Sequence, residues 1–226
     1  MSQPVCGVCG HPCRAAFRAP QPEIAPDLDM RPGEPARSTL PDWIQVCSAC
    51  GAAAPALAEL PAAAGAVVKS DDYRLLSTTA LEETLPFRRW ALIRERQGDG
   101  AQQAEALLQA AWAADDSAAM SEAAKLRGEV AALWADTQDV ETGLRRLDVM
   151  RRAGRFEAAE AWAAELGERG PDELARTIIN FQRARIADRD IGRHLISSAL
   201  PPPAHAPHVS HGKRATTGFW SRLFRK

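Results

Sequence analysis

Through the middle of the chain, apolar residues recur at helical spacing. Leu107, Leu108 and Trp112 fall on one face of residues 101–114, and Leu144, Leu147 and Met150 form a stripe within 139–153. Helices are therefore predicted over 71–76, 79–97, 101–114, 117–136, 139–153, 155–168 and 171–190. Thr79-Ala80-Leu81-Glu82 has capping-box form, and Pro86 implies a kink or a restart in the segment it opens. A further short helix is predicted over 52–60, interrupted at Pro55. Gly98-Asp99-Gly100 reads as a turn. The breaks are short, so neighbouring helices should pack antiparallel. The hydrophobic fraction is 46%, much of it Ala, which suits closely packed helices.

The two ends of the chain break this pattern. Residues 1–51 carry Pro12, Pro20, Pro22, Pro26, Pro32, Pro35 and Pro41, a density that excludes a long helix. Trp43-Ile44-Gln45-Val46 reads as a short strand, with Trp43 as a core residue of this first unit. Residues 197–218, with Pro201-Pro202-Pro203 and three histidines (His205, His208, His211), read as a disordered linker. In 219–226, Phe219, Trp220, Leu223 and Phe224 form an apolar stripe with Arg and Lys opposite. Such a basic amphipathic tail suits reversible contact with an anionic membrane or a partner groove.

Two knuckles flank the Pro-rich stretch: Cys6-Gly7-Val8-Cys9-Gly10 and Cys47-Ser48-Ala49-Cys50-Gly51. Paired C-x-x-C-G knuckles without a secretory signal point to a four-thiolate metal site rather than disulfides. Cys6, Cys9, Cys47 and Cys50 are the expected ligands and zinc the expected ion, with iron in a rubredoxin-like site as the alternative. The glycine after each second cysteine suits a turn with positive φ. Four thiolates close the coordination sphere, so the site is expected to be structural. Cys13 and His11 are left over as spare residues, or as replacements for one of the four ligands. No H-E-x-x-H and no three-ligand arrangement with a nearby base is visible, so catalytic and cofactor-binding residues are not expected.

Repetition adds to the helical reading. Residues 153–171, AGRFEAAEAWAAELGERGP, place a turn at Gly154, an aromatic at Phe156, a small residue at Ala159 and a stop at Pro171. That order matches the second half of a tetratricopeptide repeat, and residues 88–116 form a weaker copy. An ordinary antiparallel bundle is the alternative. The order of motifs resembles a bacterial family described as a domain of unknown function, with a zinc-ribbon-like part and a helical repeat part. Cys6, Cys9, Asp27-Leu28-Asp29, Arg31-Pro32, Trp43, Cys47, Cys50, the Trp112 helix and the Gly154-Arg155-Phe156 turn carry the resemblance. It implies a mainly α architecture. A zinc-ribbon-like module at 1–51 would precede tetratricopeptide-like hairpins at 52–196, the linker, and a flexible tail at 219–226.

Charge narrows the function. The net charge is −1, and residues 1–51 hold Arg14, Arg18, Arg31 and Arg37 against Glu23, Asp27, Asp29, Glu34 and Asp42. A nucleic-acid face needs clustered positive charge, so none is expected. Asp27, Asp29 and Arg31 read as loop-fixing groups or as a small polar binding site. Asp115 and Asp116 read as caps of a helix beginning at Ser117, and His194 as the end of the last helix. The expectation is a non-enzymatic, zinc-stabilised interaction scaffold in the cytoplasm, peripheral at the membrane if the tail touches lipid. A protein or peptide partner would lie on the helices. An electron carrier or metal-dependent enzyme using the four thiolates is the alternative.

Overall fold

The computed structural model describes residues 3–200. The remainder of the expected linker and the tail residues Phe219, Trp220, Leu223 and Phe224 lie outside the described residues. The protein is mainly helical. A 3₁₀ turn at Arg37–Asp42 leads into β1 (Gln45–Val46), which pairs antiparallel with β2 (Ala53–Ala54). A second 3₁₀ turn, Leu57–Glu59, precedes α1 (Ala64–Val68), α2 (Asp71–Thr79), α3 (Leu85–Arg96), α4 (Gly100–Asp116) and α5 (Met120–Leu133). Then come α6 (Val140–Arg152), α7 (Phe156–Glu168), α8 (Glu173–Ala187) and the short α9 (Ile196–Ala199).

Side-chain caps fix where several helices begin. Asp99 accepts from the Gln102 N–H at 3.0 Å, Asp139 from Thr142 at 2.7 Å and Asp172 from Ala175 at 2.8 Å. Each satisfies one of the free N–H groups of a first turn. Pro86 sits in the first turn of α3, where its missing N–H costs nothing, so the chain restarts there rather than kinking. Thr79 ends α2 instead of opening α3, and its hydroxyl bonds back to the Leu75 carbonyl.

Three further expectations are corrected. Residues 52–60 form β2 and a 3₁₀ turn, because strand pairing of Val46 with Ala53 and the break at Pro55 outweigh alanine's helix preference. Asp115 and Asp116 close α4 rather than opening α5; Ser117 and the left-handed Ala118 (φ 58°) make the turn between them. His194 lies beyond α8. Its Nε2 meets Asp190 Oδ2 at 2.7 Å, and its ring stands edge-on to Phe181 at 5.4 Å.

Each of α3 to α8 packs on the next, and α6 also touches α8. Alanines make the α4–α5 approach close: Ala104, Ala110, Ala111 and Ala114 are fully buried, opposite Leu126 and Val130. One large apolar cluster runs from α3 to α9 and takes in Leu28, Leu40 and Ile44 from the first 51 residues. Trp43 stands edge-on to Trp112 of α4, with ring centres 6.3 Å apart. A smaller cluster joins Cys6, Cys47, Leu57, Leu60, Tyr73 and Ile93. Helix α3 serves both, turning Phe87 and Ala91 to the first and Ile93 to the second. The apolar core thus crosses residue 51. At the other end, the Ile196 N–H donates to the Pro26 carbonyl at 2.9 Å and the Leu28 N–H to that of His194 at 3.0 Å. The stretch after α8 is thereby tied to the loop between the knuckles. Ala199 is buried as well, so ordered packing continues past residue 196.

Candidate metal centre and a buried charge network

The two knuckles share one backbone geometry. The Cys6 N–H donates to the His11 carbonyl and the Gly10 N–H to that of Cys6, each at 2.8 Å. The Cys47 N–H donates to Ala52 and the Gly51 N–H to Cys47, again at 2.8 Å. Gly10 and Gly51 have φ of 73° and 74°, the left-handed turn expected after each second cysteine. Gly7 answers a different need. A Cβ there would stand 1.9 Å from the Leu60 carbonyl oxygen, and the Gly7 N–H donates to Leu57 at 2.9 Å. The first knuckle therefore lies flat against the turn after β2.

This folding brings Cys6, Cys9, Cys47 and Cys50 together, with all four sulfurs within 4.8 Å of one another. Cys6 and Cys50 are 3.9 Å apart, and Cys9 and Cys47 are 3.6 Å apart. A tetrahedron with metal–sulfur bonds of about 2.3 Å has edges of about 3.8 Å, so the four residues fit one ion. Burial pushes the Cys47 thiol up, but backbone N–H groups of Cys50 and Ala49 overcome this and bring it down to about 7. Burial and the neighbouring sulfurs push Cys50 up to about 12. A metal takes the thiolate form of cysteine, so loading an ion on these four thiols would release protons. Cys13 is half-buried and His11 exposed, and neither belongs to the four-sulfur group.

A second cluster lies in the middle of the stretch between the knuckles. Asp29 is fully buried. Its Oδ2 accepts from Trp112 Nε1 and Arg152 Nη1, each at 2.9 Å, with Arg127 at 3.8 Å. Its Oδ1 accepts from the Arg31 N–H at 3.2 Å, and its carbonyl from Arg145 Nε at 3.3 Å. Asp115 closes the network: it takes a fork from Arg127 at 3.0 and 2.5 Å and a bond from Arg152 at 2.6 Å. Arg31 reaches the Trp112 carbonyl at 3.3 Å and Asp116 at 2.5 Å, and Arg37 pairs with the buried Asp27. Burial pushes the Asp29 and Asp115 carboxyls up, but the facing arginines more than reverse this and hold both below the usual carboxylate range. Asp27 goes the other way: burial raises it and Arg37 offsets only part.

The loop-fixing reading of Asp29 and Arg31 is therefore met: the Asp29 carboxylate closes a local turn on the Arg31 N–H, and both residues also bond groups on the helices, Asp29 to Trp112 and Arg152 and Arg31 to the Trp112 carbonyl and Asp116. Asp115 and Asp116 serve this network, not a cap. Arg127 and Arg152 did not stand out in the sequence. The available signal was, for Arg127, an arginine among the apolar positions Ala123, Leu126, Val130 and Ala131 of one helix.

No family model, no curated protein and no solved structure matches the chain.

Proposed function

We propose that the protein is a non-catalytic, zinc-stabilised scaffold whose helices hold a protein or peptide partner, akin to the bacterial family its motifs resemble. The observation that carries this is the convergence of four cysteine sulfurs on a unit packed against α1, α2 and α3. Tyr73 of α2 donates its hydroxyl to the Gly51 carbonyl at 2.9 Å, tying the second knuckle to the helices. A four-thiolate ion leaves no coordination position for a substrate, which suits a brace better than a reaction centre. The contacts of α6 with both α7 and α8 suit tetratricopeptide-like hairpins. Residues 27–31 already occupy one side of α4, α5 and α6, so the partner takes other helical surface. In this reading the protein is cytoplasmic, and Phe219, Trp220, Leu223 and Phe224 add a reversible second contact. Among the described residues no helix is long and apolar enough to cross a membrane.

Metal analysis of the purified chain tests the brace: one zinc per chain and no visible absorption are expected. A red protein with iron would replace this reading by the electron-carrier one. Cross-linking the tagged chain in its own host tests the scaffold. A partner captured by the zinc-loaded chain and lost when Cys47→Ser removes a ligand supports it; no partner in either form overturns it.

A further inference from the structure

Beside the Asp29 network a cleft of about 460 Å³ opens between the C-terminal end of α4, the start of α5, the turn after α6 and residues 191–193. Arg31, Arg37, Arg127, Arg152 and Arg193 all line it. Asp115 and Asp116 line it too, with Asp27 and Asp29 among the same ion pairs. Five guanidinium groups thus face four carboxylates, an excess of one positive charge. The imbalance sits at the rim. Arg193 is half-exposed, and its one ion-pair contact among the described residues is Asp27 at 3.9 Å.

The buried donors are also incompletely used. Arg31, Arg127 and Arg152 are each at least nine-tenths buried, and the Nε of each has no hydrogen-bond acceptor. Buried guanidinium donors without acceptors are costly unless something completes them. The frame around them is hydrogen-bonded from within. Arg151, fully buried, donates to the carbonyls of Asp190 and Gly192 at 2.5 and 2.9 Å, and is itself held by Asp148 and Gln182. That clamp fixes the segment carrying Arg193 against α6, so the cleft is formed in advance. The lip is apolar: Met120 and Ile191 both line the cleft, with 52% and 53% of their surface exposed.

We propose that this cleft binds a small oxyanion, a carboxylate or a phosphate, carried on a molecule with a short apolar group. The anionic head meets Arg193 and the guanidinium groups behind it, and the apolar part lies on Met120 and Ile191. Arginine suits this because its planar fork bonds two oxygens at once and cannot lose its charge. A network that only locked the loop to the helices would need neither the surplus arginine nor the apolar lip. The inference does not depend on the scaffold reading.

Isothermal titration calorimetry of the full zinc-loaded chain with inorganic phosphate, hexanoate and hexyl phosphate tests it. Saturable binding of at least one six-carbon anion is expected, and which head group binds tighter separates a carboxylate from a phosphate source. Arg193→Gln should weaken that binding by about tenfold or more. Met120→Glu, which puts a negative charge at the lip, should weaken it as well. Both positions are half-exposed, so melting temperatures matching the parent are expected and tie the loss to the site. No saturable heat from any of the three anions up to about 10 mM, or affinities unchanged in both variants, would overturn the proposal.

Discussion

Residues 10–46 are held in two places by two kinds of chemistry. At their ends, four cysteine sulfurs gather where one ion would fit. In their middle, the Asp29 carboxylate sits among Arg127, Arg152 and Trp112. The first anchor is local: the knuckles, β1 and β2 build it with a small apolar cluster. The second is remote, joining residue 29 to residues on three helices. An ion bound by four thiolates makes up in bond strength for a unit with little core. A buried ion pair works differently. Its attraction is largely offset by the cost of taking charges from water, and here its partners on three helices join the loop to one place on them. A Pro-rich stretch with little regular structure is thus positioned from its ends and from its middle.

Removing the metal is the strongest way to break this comparison. Structural zinc in small domains contributes about 10 kcal/mol or more, so chelation or Cys47→Ser should give the largest loss of stability. Because Leu28, Leu40 and Ile44 share the apolar cluster of α3 to α9, tryptophan fluorescence and helical circular dichroism should fall in one transition. Two separate transitions would show that the anchors act independently.

Asp29→Ala comes next. It leaves Arg127 and Arg152 short of a buried partner and should cost about 3–5 kcal/mol in a urea melt. A loss under about 1 kcal/mol would mean that the network behaves like a surface pair. The same carboxylates set an acid limit. Asp29 and Asp115 are held below their unfolded values, so their stabilisation is complete above about pH 4 and is lost as pH falls through the folded values. Asp27, raised by burial, opposes this by favouring the fold once protonated. Stability should therefore drop below about pH 4 in the parent and drop less steeply in Asp29→Asn, as pH-dependent urea midpoints would show.

Tyr73→Phe probes the join between the knuckle unit and α2. Loss of the bond to the Gly51 carbonyl should cost about 1 kcal/mol and leave metal content unchanged. Metal loss in this variant would make the tyrosine part of the centre's support. The smallest effect belongs to Arg183→Ala. This breaks a pair with Glu160 in which both side chains are about half exposed, and it should shift stability by less than about 1 kcal/mol.

What the sequence determined alone is what short spacing controls. Two thiols three residues apart with a following glycine predict a knuckle wherever they occur, and the four cysteine sulfurs converge as expected. Most helices were legible for the same reason: apolar stripes and caps such as Asp139 and Asp172 act within a few residues. Alanine-rich residues 52–60 and the pair Asp115-Asp116 were misread because their fate was not local. A strand partner decided the first, and arginines of the 27–31 loop and of later helices decided the second. Tertiary structure alone brought Asp29, Arg127 and Arg152 together. Nothing within a helical turn of any of them marks the others. A buried charge selects its partners by Coulomb energy in a low-dielectric interior, which exists only once the chain has folded.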